Sequence, residues 1–167
     1  GSAFHLYSAI FSYEYASYIA RKIKESNPSE PYSIGIVCPY KKQADSIKQM
    51  IEMRDISNDS CKVYCGTVHS FQGDECDIMI IILNPPINVG LHSHVNNQNI
   101  INVAVSRAKD YIFFLVPDCR TQGFPTREVL GKMSGDNKNV LFCNKIEKVM
   151  FGQEDYILQH TNVSCHM

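Results

Sequence analysis

The six consecutive apolar residues from Ile78 to Leu83 leave this chain few folds to choose from. The run does not alternate, so a strand built from it must be covered on both faces, as in the middle of a parallel sheet. A second β-prone piece, Lys62 to Val68, precedes it, and within it Val63, Tyr64, Thr67 and Val68 favour extended backbone. Between the two lies SFQGDECD, a polar segment with one glycine and three acids that neither strand can bury. In open α/β sheets ligands bind at loops beyond the carboxyl ends of strands, so this segment is the first candidate for a functional loop.

The remaining chain alternates in the same way. Tyr13 to Glu25 reads as a helix, with Tyr15, Ala16, Ile19, Ala20 and Ile23 on one stripe, Ser12 as its N-cap and Glu14 in its first turn. Two prolines between Asn27 and Pro31 end it. Ser33 to Cys38 is a short buried strand, and Pro39-Tyr40 turns the chain into a helix over Lys41 to Arg54 with Ala44, Ile47 and Ile51 inward. After the polar loop and its strand, Asn84 to Asn96 is a loop, Asn97 to Ala108 a helix, and Tyr111 to Val116 another buried strand. Strands separated by helices imply a parallel sheet with helices on both faces. In the tail, Arg127 to Met133 and Lys145 to Phe151 read as short helices, and Asn139 to Phe142 and Tyr156 to Leu158 as strands. The tail offers no chemistry and reads as an accessory layer.

With 167 residues, 44% of them hydrophobic, the chain can bury one sizeable core. A net charge of −1 provides no global field for nucleic acid, so any such contact must be local. Seven scattered cysteines without a C-x-x-C pair fit reduced, mostly buried thiols in a cytoplasmic protein. No apolar run approaches the length of a membrane span.

Three segments in order carry a family resemblance. TVHSFQGDECD, from Thr67 to Asp77, resembles motif V of superfamily 1 helicases, in the branch that includes the nonsense-mediated-decay helicase. PYKKQ, Pro39 to Gln43, resembles motif IV, and NVAVSRAKD, Asn102 to Asp110, resembles motif VI. The resemblance implies a second, C-terminal RecA-like domain: residues 8–116 as its core, 117–167 as an extension on the same domain, and 1–7 as a leader or cloning remnant. It also implies a monomeric, ATP-driven helicase or translocase that uses ATP and Mg²⁺, held mainly by a first RecA-like domain of the same polypeptide, with single-stranded DNA or RNA as partner and no membrane.

Residue by residue, the resemblance makes Arg107 an arginine finger reaching the γ-phosphate, a role suited to a planar, permanently charged fork. A surface arginine near a helix end is the alternative. Gly73 would let the backbone approach the nucleotide, Glu75 would accept from ribose hydroxyls or orient Arg107, and Gln72 would shape the loop. Tyr40, Gln43, Thr67, His69 and Ser106 fall on the nucleic-acid side, with Lys41 and Lys42 adding local positive charge. His69 stands where the family has Asp, Asp74 where it often has Arg, and Ser106 where it has Thr.

The sequence contains no G-x-x-x-x-G-K-S/T loop and no paired acids after a strand for Mg²⁺, so the chain alone is expected to be inactive as an ATPase. Two other readings stand beside this one. One is a helicase half kept as a non-catalytic binding or regulatory module. The other is an unrelated thiol enzyme built on Cys65, His69 and Glu75. His92 and His94 could begin a metal site, but no further ligand spacing completes it.

Overall fold

A computed structural model describes residues 5–71, 75–84, 98–116 and 139–161. Its centre is a sheet of four parallel strands, β1 (Tyr32–Cys38), β2 (Cys61–Thr67), β3 (Cys76–Ile82) and β4 (Ala108–Leu115), in the spatial order β2-β1-β3-β4. The unbroken apolar run, all but its last residue Leu83, lies in β3, an inner strand, where Met79, Ile80 and Ile81 are fully enclosed. The alternation of Cys61, Val63 and Cys65 with exposed Lys62 and Tyr64 belongs to β2 at an edge, where one face meets water.

Two cores flank the sheet. The larger packs Ile34, Ile36, Cys38, Val63, Ile78 and Ile80 beneath helices α1 (Leu6–Ser26) and α2 (Lys41–Arg54). The smaller packs Val37, Met79 and Ile81 beneath α3 (Gln98–Val105) and a 3-10 turn at Val68–Phe71. The chain crosses one face between β1 and β2, then returns over the other face to β3. The crossover can press onto the sheet because Gly35 has no side chain: a Cβ there would lie 2.6 Å from the Met79 sulfur and 3.1 Å from the Phe71 ring.

Several elements differ from the sequence expectations. The first helix starts at Leu6, not Tyr13, and His5 caps it by accepting the Ser8 N–H. Ser12 is a buried mid-helix residue whose hydroxyl donates to the Ala9 carbonyl, so a residue type suited to capping is satisfied within the helix. Glu14 then lies well inside the helix, paired at 3.5 Å with Arg54 of α2. α3 ends at Val105, short of Ala108, because Cys76 pairs with Ala108 and draws Ala108 to Asp110 into β4, which was expected to begin at Tyr111.

In the tail, α4 (Cys143–Phe151) matches the expected helix, but Asn139 to Phe142 forms no strand. Tyr156–His160 is a short helix, α5, where a strand was expected. Ile157 is buried in the main core and its N–H donates to Glu147 at 2.8 Å, so packing overrides local β preference. Glu147 is fully buried and also accepts from the Tyr7 hydroxyl, which ties α4 and α5 to the start of α1. The expected helix over Arg127 to Met133 lies outside the described residues.

Candidate functional site

The candidate residues divide between the two ends of the sheet. Thr67 is level with Cys38 at the carboxyl ends of β2 and β1, while Cys76 opens β3 beside Ala108 at the amino ends. Ile34 pairs with Ile78, so the two levels are about six residues, or roughly 20 Å, apart along the strands. Only the first group obeys the carboxyl-end rule for ligand loops. Glu75 and Arg107 sit at the opposite end, because the polar loop is a crossover that leaves one end of the sheet and re-enters at the other.

At the amino end the backbone fixes Arg107. Its N–H donates to the Ala104 carbonyl at 3.2 Å, and its carbonyl accepts the Cys76 N–H at 2.9 Å. Arg107 is therefore held directly beside the residue that follows Glu75. The Arg107 Nε is buried and has no hydrogen-bond partner, and no ion pair joins Arg107 to a carboxylate among the described residues. An unpartnered donor on a permanent cation suits an anionic ligand from outside the domain. Glu75 is exposed. Ser106, expected on the nucleic-acid side, lies next to Arg107 at this end, with its hydroxyl donating to the Val103 carbonyl at 2.8 Å.

Asp77, which sequence reasoning did not single out, is the most connected side chain at this end. One carboxylate oxygen accepts both the N–H and the hydroxyl of Ser33 at 2.7 Å, and the other lies 3.7 Å from the Lys109 ammonium. Burial would raise its carboxyl, but the Ser33 bonds and the Lys109 charge outweigh that and hold it below the usual range. Its signal in the sequence was the last Asp of the motif V match.

At the carboxyl end, Tyr40 is the N-cap residue of α2 in extended backbone. Its ring is half-buried against the smaller core, and burial raises its phenol. Gln43 is fully buried: its amide donates to the His5 carbonyl at 3.3 Å, and its Oε1 has no partner. It thus joins the start of α2 to the start of α1 and presents nothing to solvent. Thr67 is half-buried, and its carbonyl accepts the Ser70 hydroxyl; His69 is exposed. Asn84 follows β3 as Tyr40 follows β1, at the point where the strand order reverses, and its Oδ1 is buried without a partner. Such switch points are ligand crevices in open α/β sheets. No local motif marked Asn84 beforehand.

Gln72, Gly73, His92 and His94 lie outside the described residues. The thiol constellation is not assembled. Cys65 points into the larger core, where its sulfur lies 3.7 Å from both the Ala44 carbonyl and the Cys38 sulfur. The 3-10 turn carrying His69 covers the other face, and Glu75 is at the far end of the sheet. Among the described residues this end brings together an arginine whose Nε has no partner and the exposed carboxylate of Glu75, and no group of three metal-ligating side chains occurs.

A family model described as an AAA domain matches residues 7–118. The mov-10-B.1 protein of Danio rerio, named as a helicase, is 37% identical over 94 residues, covering 47% of this chain and 9% of that protein. Replicase polyprotein 1ab of Alphamesonivirus 1 is 38% identical over 85 residues, 51% of this chain and 2% of the polyprotein. The Mycoplasma genitalium MG140 protein, named as an uncharacterized ATP-dependent helicase, is 29% identical over 111 residues, 56% of this chain and 10% of its own length. The chain thus spans a tenth or less of each of these relatives.

Proposed function

The chain belongs to the AAA domain family, and on that premise we propose that it is the C-terminal motor domain of an ATP-dependent DNA or RNA helicase or translocase of the superfamily 1 branch it resembles. The observation that carries this reading is the junction of motifs V and VI: the Cys76–Arg107 backbone bond sets Glu75 beside an arginine whose buried Nε lacks a partner. The sequence has no phosphate-binding loop, which fits a site completed by a first RecA-like domain elsewhere in a longer polypeptide. Residues 8–116 are then the motor core. The burial of Glu147 and Ile157 supports reading 117–167 as an extension packed on it.

Held by that first domain, ATP with Mg²⁺ supplies the phosphoryl group whose transfer drives the motor. Arg107 offers its fork to the γ-phosphate, where neutralising charge as it develops favours the transition state over bound substrate. Glu75 accepts from the ribose hydroxyls or orients Arg107, and Gly73 with Gln72 allows the backbone close to the nucleotide. A single strand runs along the opposite end, at Tyr40, Thr67 and His69. Gln43 contributes from within by fixing the turn that carries Tyr40. Ser106, beside Arg107, contributes to the nucleic-acid side from the turn that follows α3. A monomer working in the cytoplasm accords with the thiols of Cys38, Cys61, Cys65 and Cys143, which form no disulfide with one another.

The test is steady-state ATP hydrolysis by the intact polypeptide at saturating single strand, beside nucleotide affinity and a thermal melt. Arg107→Lys is expected to be nearly as harmful as Arg107→Ala, because lysine keeps the charge and lacks the planar fork. Both should cost on the order of 10³-fold in turnover while nucleotide affinity and melting change little. A lysine variant with near wild-type turnover and an unchanged melt would make Arg107 a helix-end surface residue and leave a non-motor binding module as the better reading.

A further inference from the structure

The ladder between β3 and β4 slips beside Arg107. Cys76 pairs with Ala108, yet Ile78 pairs with Tyr111, so Lys109 and Asp110 oppose the single residue Asp77. Bulges of this kind bend a strand and re-aim the side chains next to it. Here the bulge is held from both sides. Ser33 of β1 gives its N–H and hydroxyl to one Asp77 oxygen and its Oγ accepts the Asp77 N–H at 3.1 Å, while Lys109 of β4 lies against the other oxygen. One residue back, the Cys76 N–H holds the Arg107 carbonyl. A single carboxylate therefore ties three strands together at the level where Arg107 leaves its turn.

We propose that Asp77 is a positioning residue for Arg107, holding the β3–β4 bulge that sets the direction of the guanidinium. It touches no substrate and acts only through the backbone it fixes. The inference rests on the finger reading of Arg107. Its physical basis is that reacting groups must be held closely in place: a shift of about 1 Å can cost roughly 100-fold in rate. Three anchored strands at one residue supply that stiffness, whereas a side chain hung on an isolated turn would not.

The experiment is a double-mutant cycle in the intact polypeptide, reading turnover, KM for ATP, single-strand affinity and melting temperature. Asp77→Ala should lower turnover about 10- to 100-fold, with KM and strand affinity within about twofold. Asp77→Asn, whose carbonyl still accepts from Ser33, should recover most of the loss. On the Arg107→Ala background, Asp77→Ala should add no further loss of turnover while still lowering the melt, since a positioning residue has nothing left to position. If Asp77→Ala does not fold, Ser33→Ala, which keeps one backbone bond to the carboxylate, takes its place in the same cycle. Turnover within twofold of wild type in the folded variant, or full additivity with Arg107→Ala, would overturn the positioning role alone. Wild-type turnover in Arg107→Ala would overturn the finger reading and this inference with it.

Discussion

Glu75 and Asp77 carry the same functional group two residues apart and differ in their surroundings. Glu75 is exposed, so replacing it should disturb little of the fold. In the intact polypeptide Glu75→Gln is expected to weaken ATP turnover more than single-strand binding; equal losses in both assays would mean that the loop itself had shifted. Asp77 is anchored, and its carboxyl titrates below the usual range. A group whose folded pKa is depressed adds stability that is complete above its unfolded pKa and disappears as pH falls through the folded value. Asp77→Ala should therefore lower the melting temperature at neutral pH and flatten its decline in acid. Parallel melting curves for the variant and wild type across the acid range would show that Asp77 contributes no charge-linked stability.

At the scale of elements, the tail helices are fastened by one buried carboxylate. Glu147 accepts from Tyr7 on α1 and from the Ile157 N–H on α5. Burial and the adjoining Glu147 push the Tyr7 phenol far up, so this donor stays protonated through the ordinary pH range. Glu147→Ala leaves the buried Ile157 N–H without its acceptor, at about 1–3 kcal/mol, and removes an acceptor from the half-buried Tyr7 hydroxyl, which keeps a contact with the Cys143 thiol. The expected result is a clear fall in stability with faster amide exchange throughout α4 and α5, and a smaller fall for Glu147→Gln, which keeps an acceptor. Unchanged exchange in α5 would mean that Ile157 packing alone holds it. The crossover is fastened differently. At Gly35, alanine must displace the Met79 sulfur and the Phe71 ring, so Gly35→Ala should cost about 1–3 kcal/mol through overpacking, measured by denaturant unfolding.

At the scale of the whole molecule, the chain offers a cationic fork at one end and a modest surface at the other. By itself it should not hydrolyse ATP. A preparation free of other ATPases that turned over ATP and lost this with Arg107→Ala would reject the split site. Its binding to single strands should be weak, because a net charge of −1 with few basic candidates allows few phosphate contacts. With about 2–3 contacts the dependence of affinity on salt is shallow. Tight binding that persisted in high salt would point to a dedicated recognition surface.

The sequence by itself determined the elements that rest on composition and period. The run Ile78 to Leu83 suited an inner strand, the Ala44–Ile47–Ile51 stripe suited a helix face, and three ordered motifs carried the family. These features are local, and burial demands them of any chain that contains them. The tertiary structure decided the rest. Ser12 has the chemistry of a cap and Tyr156 to Leu158 the propensity of a strand, yet packing made one a helix interior and the other a helix. Gln43 was legible as a motif residue, while its burial depends on α1 lying across α2. The separation of Thr67 from Glu75, only eight residues apart in the chain, depends on how a crossover traverses a sheet. The partners of Asp77 come from β1 and β4, distant in sequence. A pattern read along the chain specifies which faces must be hidden; which groups meet once they are hidden is settled by long-range pairing.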